Sequence, residues 1–196
     1  MRFLGSKVKL LSTIEKVIKK HNIKGETFAD LFAGTGCVGD YFKDRFKIIS
    51  NDTLFSAYII NCAKLQNDSV PKFNKFKVYK SGADIFSWLN SLSFDPNETY
   101  FFYNNYSPIG GRMFFTKENS IKIDGIRQVI EDLYNKDILS LTEYYFLIAS
   151  LIESITKVSN TSGTYEAFFK FWESRAEKSF KIEPLEMKFS KINKKK

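Results

Sequence analysis

Hydrophobic residues follow two different spacings in the first third of the chain. Residues 7–21 carry apolar side chains at helical spacing with lysines between them, which predicts an amphipathic helix. Residues 27–32 form a nearly continuous apolar run, and residues 46–50 form a second strand candidate, as in parallel strands buried on both faces. Residues 54–65 are apolar enough for a well-buried helix. Helices that alternate with strands predict an α/β fold.

Helical spacing dominates the rest of the chain. The predicted elements are a short helix over residues 81–92, a strand over 99–103, helices over 117–133 and 141–158, and a third helix capped by Thr164. Residues 179–189 alternate enough for an extended segment, which Pro184 confines to an edge or a loop. This pattern predicts a largely helical lobe beside the sheet.

A glycine-rich segment joins the first predicted strand to the next helix. Gly34, Gly36 and Gly39 have G-x-G-x-x-G spacing, which allows a sharp turn, close approach of backbone N–H groups to a ligand, and tight helix packing. The second strand ends in Asn51 and Asp52, roughly 20 residues after the first glycine, where a carboxylate can accept hydrogen bonds from both ribose hydroxyls. The predicted ligand is a nucleotide-like cofactor. A simple tight turn and a helix cap at the acid are the alternatives.

The net charge favours a polyanionic partner. Thirty Lys and Arg residues against 22 Asp and Glu give a net charge of +8, and such an excess binds DNA through phosphate contacts and counterion release. Lysines interleave with aromatic residues at 72–80, which suits a basic strand or loop facing DNA. A solvated lysine-rich face explains the same pattern. Double-stranded DNA is the expected partner.

Length, cysteine content and hydropathy argue against secreted, metal-binding and membrane proteins. The 196 residues suit one domain with an inserted lobe. Cys37 and Cys62 are the only cysteines and lack C-x-x-C spacing, so we expect free thiols in a reducing cytoplasm and no metal site. No apolar run approaches membrane-spanning length, and no signal peptide precedes Arg2. A cytoplasmic protein without membrane contact is therefore expected.

A polar segment has the composition of a recognition loop. Residues 104–112 combine two glycines, a proline and two asparagines with Tyr106 and Arg112. In a basic protein, an arginine in such a loop suits a phosphate or a guanine, and a tyrosine suits stacking on a base. A purely structural turn is the alternative.

Three short motifs lie in the first third of the chain: D-L-F-A-G-T-G-C-V-G at 30–39, S-N-D at 50–52 and R-F-L-G-S-K at 2–7. The first resembles the first motif of S-adenosylmethionine-dependent DNA methyltransferases that modify adenine N6 in restriction–modification systems. The second is similar to the second motif of that family. The third looks like the N-terminal motif that lies beside the methionine end of the cofactor.

Two longer stretches resemble one branch of the same family. They are N-Y-S-P-I-G-G-R-M-F-F-T-K-E-N at 105–119, followed by K-I-D-G-I-R at 122–127, and S-N-T-S-G-T-Y-E-A-F-F-K-F-W at 159–172. The glycine loop alone is weakly specific, whereas the five motifs in this order are strongly so. The resemblance therefore covers most of the chain.

The resemblance implies S-adenosyl-L-methionine as the cofactor and DNA as the substrate. The implied cofactor-binding residues are Phe3, Leu4, Gly5, Lys7, Asp30, Leu31, Phe32, Gly34, Gly36, Asn51, Asp52 and Thr53. The candidate DNA-binding residues are Tyr106, Ser107, Arg112 and Lys117.

The motif that carries the chemistry in this family is missing from the sequence. The family uses an Asp/Asn/Ser-Pro-Pro-Tyr/Phe/Trp motif, and this sequence contains no Pro-Pro pair, so no catalytic residue is assigned. The predicted strand at 46–50 also covers only one side of the central strand at 27–32. The other edge of the central strand is therefore open for pairing. We therefore expect one subunit of a split, heterodimeric methyltransferase, whose partner subunit carries the catalytic motif. A truncated or degenerate relative is the alternative.

These inferences combine into one expected architecture. The expected fold class is α/β, with a Rossmann-like methyltransferase sheet that is incomplete in this chain and a largely helical target-recognition lobe. Residues 1–95 are expected to bind the cofactor, 96–178 to form the lobe, and 179–196 to form an extended segment with a basic tail. The expected function is cofactor binding and DNA recognition in a site-specific DNA adenine-N6 methyltransferase. An NAD(P)-binding oxidoreductase fragment and a DNA-binding module with a vestigial cofactor loop are the alternatives.

Overall fold

The computed structural model describes residues 6–162 and 166–187, and they form two compact units. The described part of the first unit comprises residues 6–71 and 186–187, and that of the second comprises residues 72–162 and 166–185. The two units thus divide after residue 71. The functional segments predicted from the sequence, which end at residues 95 and 178, stay predictions. Across the described ranges, no helix is both long and apolar enough to cross a membrane.

The first unit contains a small parallel sheet with short helices. A 3₁₀ turn at Lys7–Leu10 leads into α1 (Leu11–Lys20), followed by β1 (Thr27–Asp30), α2 (Cys37–Phe42), β2 (Lys47–Ser50) and α3 (Phe55–Leu65). β1 and β2 pair in parallel, with Asp30 opposite Ser50 at their carboxyl ends. The predicted order of helix, strand, glycine loop, helix, strand and helix is confirmed.

One face of the sheet carries the hydrophobic core of this unit. The Phe28 ring of β1 stacks on the Phe42 ring of α2 with centroids 5.0 Å apart. Leu11 and Val38 are buried in the same cluster, and Ile48 of β2 packs against them. Phe42 is fully buried, and burying a side chain of that size contributes about 1.5–3 kcal/mol. α1 and α2 therefore hold both strands from one side.

The opposite face of the sheet is open in the described part of the chain. Ala29 of β1 and Ile49 of β2 are exposed and alternate with inward-facing neighbours. β1 ends at Asp30, and the Phe32 side chain beyond it is 78% exposed. The prediction of strands buried on both faces, the first of them reaching residue 32, is therefore wrong for these residues, because α1 and α2 cover one side only.

The second unit is helical. It contains α4 (Asn74–Tyr79), α5 (Ile85–Ser91), α6 (Phe101–Tyr106), α7 (Lys117–Asn135) and α8 (Leu141–Ile155), with a 3₁₀ turn at Pro108–Gly110. The two long helices begin at side-chain caps. Thr116 caps α7, and Ser140 forms a capping box with Glu143 at the start of α8. The three helices predicted between residues 81 and 158 are confirmed.

The strand predicted over residues 99–103 is wrong, because most of this segment belongs to α6. The Asp124 carboxylate of α7 is buried and accepts hydrogen bonds from the N–H groups of Phe102 at 3.1 Å and Tyr103 at 2.8 Å. The first N–H groups of a helix have no acceptor within the helix. The Asp124 carboxylate supplies acceptors for two of them in α6. The tertiary cap thus outweighs the strand preference of aromatic residues.

The basic stretch at 72–80, predicted as a strand or loop, contains a helical turn instead. Phe73, just before α4, and Phe76 within it are both buried. Lys72, Lys75 and Lys77 are exposed, and Lys80 is half-buried.

The segment at 166–187 contains no helix or strand, although a helix was predicted to follow Thr164, which itself lies outside the described residues. Asparagine side chains hold this segment through hydrogen bonds that they accept from its N–H groups and donate to its carbonyls. The side chain of Asn90 bonds both the N–H and the carbonyl of Ile182, each at 2.9 Å. The Asn119 side chain accepts from Phe180 N–H at 2.8 Å and donates to the carbonyls of Ala176 and Lys178. The extended backbone is therefore satisfied by distant side chains.

We expect the Asn90→Ala substitution to destabilise the chain by about 1–3 kcal/mol, because it leaves the Ile182 backbone groups without their partners. Urea unfolding followed by circular dichroism measures this loss. The matched control is Asn135→Ala, which removes an exposed asparagine at the end of α7. Equal stabilities for the two variants would contradict the structural role of Asn90.

Candidate functional site

The loop between β1 and α2 turns on two glycines in the left-handed region of backbone space. Gly34 has φ of 53° and Gly36 has φ of 70°, values that residues with a Cβ rarely adopt. The N–H of Gly36 donates to the carbonyl of Ala33 at 2.9 Å, which closes the turn just before α2 starts at Cys37. The predicted sharp turn off the strand is confirmed.

The second and third glycines allow close packing. A Cβ on Gly36 would lie 2.6 Å from Oδ1 of Asn61, and one on Gly39 would lie 3.1 Å from a methyl group of Ile48 and 3.2 Å from one of Leu65. A side chain at either position would push α2 or the loop away from its neighbours. The G-x-G-x-x-G spacing therefore has a separate steric reason at each of these two positions.

Asp52 connects the end of β2 to the glycine loop. Its Oδ2 accepts a hydrogen bond from Gly34 N–H at 2.8 Å, and its Oδ1 accepts one from Leu54 N–H at 3.0 Å. The N–H groups of Leu54 and then Gly34 lower the pKa of this carboxyl group below its ordinary value. The side chain is half-buried, so an ionised carboxylate with unused lone pairs lies at the carboxyl end of the sheet.

Three further predicted residues meet at the same end of the sheet. The Lys7 ammonium donates to the Phe32 carbonyl at 2.5 Å. The Asn51 side chain donates to the Leu31 carbonyl at 3.0 Å, and Asp30 Oδ1 accepts from Phe32 N–H at 3.3 Å. The fold therefore gathers most of the predicted cofactor residues in one place. The predicted residues Phe3, Leu4 and Gly5 lie outside the described residues.

One buried oxygen at this site lacks a partner. Oδ2 of Asp30 is shielded from solvent and has no hydrogen-bond partner among the described residues. A buried carboxylate oxygen in that state is costly unless a donor reaches it. An N–H or ammonium group from a ligand would satisfy it.

Exposed apolar side chains follow Asp52 and Thr53 after the carboxyl end of β2. Leu54 is 55% exposed and Phe55 is 68% exposed. The Phe55 ring stacks on that of Tyr58 with centroids 5.7 Å apart and an interplanar angle of 15°. Thr53, between Asp52 and these residues, is exposed. Exposed flat rings beside a polar loop suit a ligand that carries an aromatic base.

Two residues of α3 contact the glycine loop and were missed by the sequence prediction. Asn61 is buried and donates to the Gly34 carbonyl at 3.0 Å. Lys64 donates to the Thr35 carbonyl at 2.9 Å. The available signal is the single polar residue within the apolar run 57–63, because a polar side chain on a buried helix face requires hydrogen-bond partners.

The predicted recognition loop in the second unit is compact. Ser107 is fully buried, and its hydroxyl donates to the Tyr103 carbonyl at 2.6 Å. The Ser107 carbonyl accepts from the N–H groups of Gly110 and Arg112. The Ser107 side chain therefore shapes the loop from inside, and a DNA contact for Ser107 stays a prediction.

The other three predicted DNA-binding residues differ in exposure. Tyr106 is half-buried, and its ring lies 5.2 Å from that of Phe114. Arg112 is exposed and donates to the Asn105 carbonyl at 2.9 Å. Lys117 is exposed in the first turn of α7. A DNA contact for each of them stays a prediction, and Arg112 and Lys117 are the most accessible.

Asn160 joins the two long motifs of the second unit. Its fully buried side chain donates to the carbonyls of Met113 at 3.0 Å, Phe169 at 3.1 Å and Phe171 at 3.0 Å. Its Oδ1 accepts from Glu173 N–H at 3.1 Å. These bonds therefore join Met113 of the first stretch to Phe169 and Phe171 of the second, and the Phe171 side chain is 64% exposed.

The comparison with known proteins gives consistent matches. Residues 3–195 match the family model described as D12 class N6 adenine-specific DNA methyltransferase. The chain is 57% identical over 97% of its length to the modification methylase LlaI of Lactococcus lactis subsp. lactis, and covers 30% of that protein. It is 41% identical over 95% of its length to the type II methyltransferase M.FokI of Planomicrobium okeanokoites, and covers 29% of it.

This chain covers a larger share of a third relative. The type II methyltransferase M.NlaIII of Neisseria lactamica is 35% identical over 94% of this chain, which covers 54% of that protein. The chain thus spans between about a third and a half of these relatives. No solved structure gives a significant match.

The Asp52 carboxylate should make stability depend on pH at the acidic end. Because its pKa in the folded chain is lower than in the unfolded chain, its contribution is present above pH of about 4 and is lost as the pH falls further. We expect Asp52→Asn to lower the free energy of unfolding by on the order of 1 kcal/mol at pH 7. The difference from the unsubstituted chain should shrink towards pH 3.

Urea unfolding at several pH values measures this difference. Asp68→Asn is the control, because Asp68 is an exposed carboxylate in the same unit. A difference between Asp52→Asn and the unsubstituted chain that stays constant from pH 7 to pH 3 would contradict the interpretation of the Asp52 contacts.

Proposed function

The chain belongs to the D12 class N6 adenine-specific DNA methyltransferase family, and we propose that it binds S-adenosyl-L-methionine and DNA within an enzyme that methylates adenine N6 at a specific site. The first unit is the cofactor-binding part of a Rossmann-like methyltransferase sheet. The second unit is the target-recognition lobe. The observation that carries the proposal is the Asp52 carboxylate bonded to Gly34 N–H, because it joins an acid and a glycine loop at the carboxyl ends of two parallel strands.

The residues at this site fit the polar groups of the proposed cofactor. The unpartnered Oδ2 of Asp30 suits the ammonium group of the methionine part, and the Lys7 ammonium suits its carboxylate. The free lone pairs of Asp52 suit the ribose hydroxyls, and the exposed ring of Phe55 suits the adenine. When bound, S-adenosylmethionine supplies a methyl group activated by a sulfonium. The chain's own residues bind and orient the molecule that carries it.

The second unit has the charge and surface that DNA binding requires. Arg112 is exposed at the end of the compact loop, Lys117 is exposed in the first turn of α7, and Lys170 and Phe171 are exposed in the segment that Asn160 holds. Cations attract the phosphates, and an exposed ring can stack on a base. The net charge of +8 supports the same partner.

The catalytic motif of the proposed enzyme lies outside these 196 residues, which contain no Pro-Pro pair. The relatives are longer chains, of which this one covers 30% and 54%. Their length favours a motif in the same polypeptide and gives no support to the predicted separate partner subunit. The open sheet face at Ala29 and Ile49 is where further helices would pack. Family membership also leaves the NAD(P)-binding alternative without a supporting observation.

Calorimetric titration with S-adenosylmethionine tests the cofactor site. We expect Asp52→Ala to weaken binding by about 1–3 kcal/mol, because the ribose hydroxyls lose their charged acceptor and the loop loses its contact with β2. The matched control is Asp68→Ala, which removes an exposed carboxylate of the same unit. Equal affinity for both variants, or tighter binding of NAD than of S-adenosylmethionine, would count against the assignment.

Fluorescence anisotropy with a labelled DNA duplex tests the recognition surface. We expect Arg112→Ala to weaken binding and to reduce the slope of log affinity against log salt concentration by about 1, because one phosphate contact is lost. Arg127→Ala is the control, because Arg127 pairs with Glu131 on α7 and its removal deletes the same charge elsewhere in the unit. An unchanged slope for Arg112→Ala would refute the phosphate contact.

A further inference from the structure

Asn61 is a polar residue on a buried face of α3, directly beneath the glycine loop. Its side chain is 5% exposed. Its Nδ2 donates to the Gly34 carbonyl at 3.0 Å and to the Ala57 carbonyl at 2.8 Å, while its Oδ1 accepts from the Ser50 hydroxyl at 2.7 Å. Both amide hydrogens and the amide oxygen are therefore used.

The arrangement of partners specifies asparagine at this position. Two carbonyls require two donors on one atom, and the Ser50 hydroxyl requires an acceptor on the other. An aspartate of the same shape would place an oxygen against the carbonyls of Gly34 and Ala57. A leucine would leave all three partners without a bond in a buried place. The three bonds also join α3 to β2 and to the loop after β1.

The contact with Gly34 determines the orientation of a loop peptide. The peptide between Gly34 and Thr35 is planar and trans, so its carbonyl and its N–H point in opposite directions. Because Asn61 draws the Gly34 carbonyl towards α3, the Thr35 N–H points away from α3. Lys64 draws the next carbonyl, that of Thr35, to the same helix at 2.9 Å.

The close approach of Asn61 also explains the second glycine of the loop. A Cβ on Gly36 would lie 2.6 Å from Oδ1 of Asn61 and 3.1 Å from its Cγ. A side chain at position 36 would fill the space through which the Asn61 amide reaches Gly34. The Asn61 contact therefore requires glycine at position 36.

We propose that Asn61 is a positioning residue of the cofactor site, which holds the Gly34–Thr35 peptide in the orientation that binds S-adenosylmethionine. This inference rests on the proposed function of the first unit. Asn61 contacts the loop from the side of α3 and acts on the cofactor only through the loop.

The test is calorimetric titration of S-adenosylmethionine into the chain and two asparagine variants. We expect Asn61→Asp to weaken binding by about tenfold or more, because a buried hydrogen bond to the loop is replaced by repulsion between oxygens. The matched control is Asn67→Asp. Asn67 donates to the Ala63 carbonyl at 2.9 Å, the same contact one turn back along the helix that Asn61 makes with Ala57, and has no bond to the loop. The affinity of Asn67→Asp for S-adenosylmethionine should stay within about twofold of that of the unsubstituted chain.

A second variant and a second readout separate positioning from general stability. Ser50→Ala removes the hydroxyl that fixes the Asn61 amide without adding charge, and we expect a smaller, several-fold loss of affinity. In ¹⁵N–¹H spectra, the amide signals of Gly34 and Thr35 should move in Asn61→Asp and Ser50→Ala but not in Asn67→Asp. If Asn61→Asp does not fold, Ser50→Ala decides the question by the same two measurements.

The outcomes for the two proposals are distinct. If the unsubstituted chain binds S-adenosylmethionine and Asn61→Asp or Ser50→Ala binds it equally well with unmoved Thr35 signals, the role of Asn61 is overturned and the proposed function stands. If the unsubstituted chain does not bind the cofactor, the proposed function fails and this inference fails with it.

Discussion

The hydrogen bond between the Asp52 carboxylate and Gly34 N–H is the contact on which the first unit depends. The register of the parallel pair places Asp30 opposite Ser50, so the segments that follow the two strands emerge side by side. Asp52 then connects them at 2.8 Å. Without that bond, the Gly34 N–H would lose its acceptor at the end of β2. The side chains of Asn51 and Asn61 bind the same loop at the carbonyls of Leu31 and Gly34.

The first unit was largely predictable because its signals are local in sequence. Glycine spacing, two apolar runs and an acid after the second run specify a strand, a turn and a helix without any knowledge of distant residues. The exposure of Phe32 was not predictable, because hydrophobicity does not tell whether a covering layer exists. The contacts of Asn61 were also hidden, since its partners lie in two other elements and become neighbours only in the folded chain.

The second unit shows where sequence patterns fail. The caps at Thr116 and Ser140 are local, and the helices that they start were predicted correctly. The start of α6 depends on Asp124, which is 22 residues away from Phe102. The backbone near Ile182 depends on Asn90, which is 92 residues away. Periodicity within a short window carries no information about such bonds, so a helix was predicted after Thr164, where the Asn160 side chain binds the carbonyls of Phe169 and Phe171 instead. The extended segment predicted from residue 179 agrees with the backbone that Asn90 and Asn119 hold.

The asparagine side chains that hold this backbone, Asn90, Asn119 and Asn160, are electroneutral. Counterions screen attraction between charges but leave amide hydrogen bonds almost untouched. These attachments should therefore persist over a wide range of ionic strength, while the grip of exposed cations on phosphates relaxes. A protein built in this way can release a polyelectrolyte without loosening the framework that presents those cations.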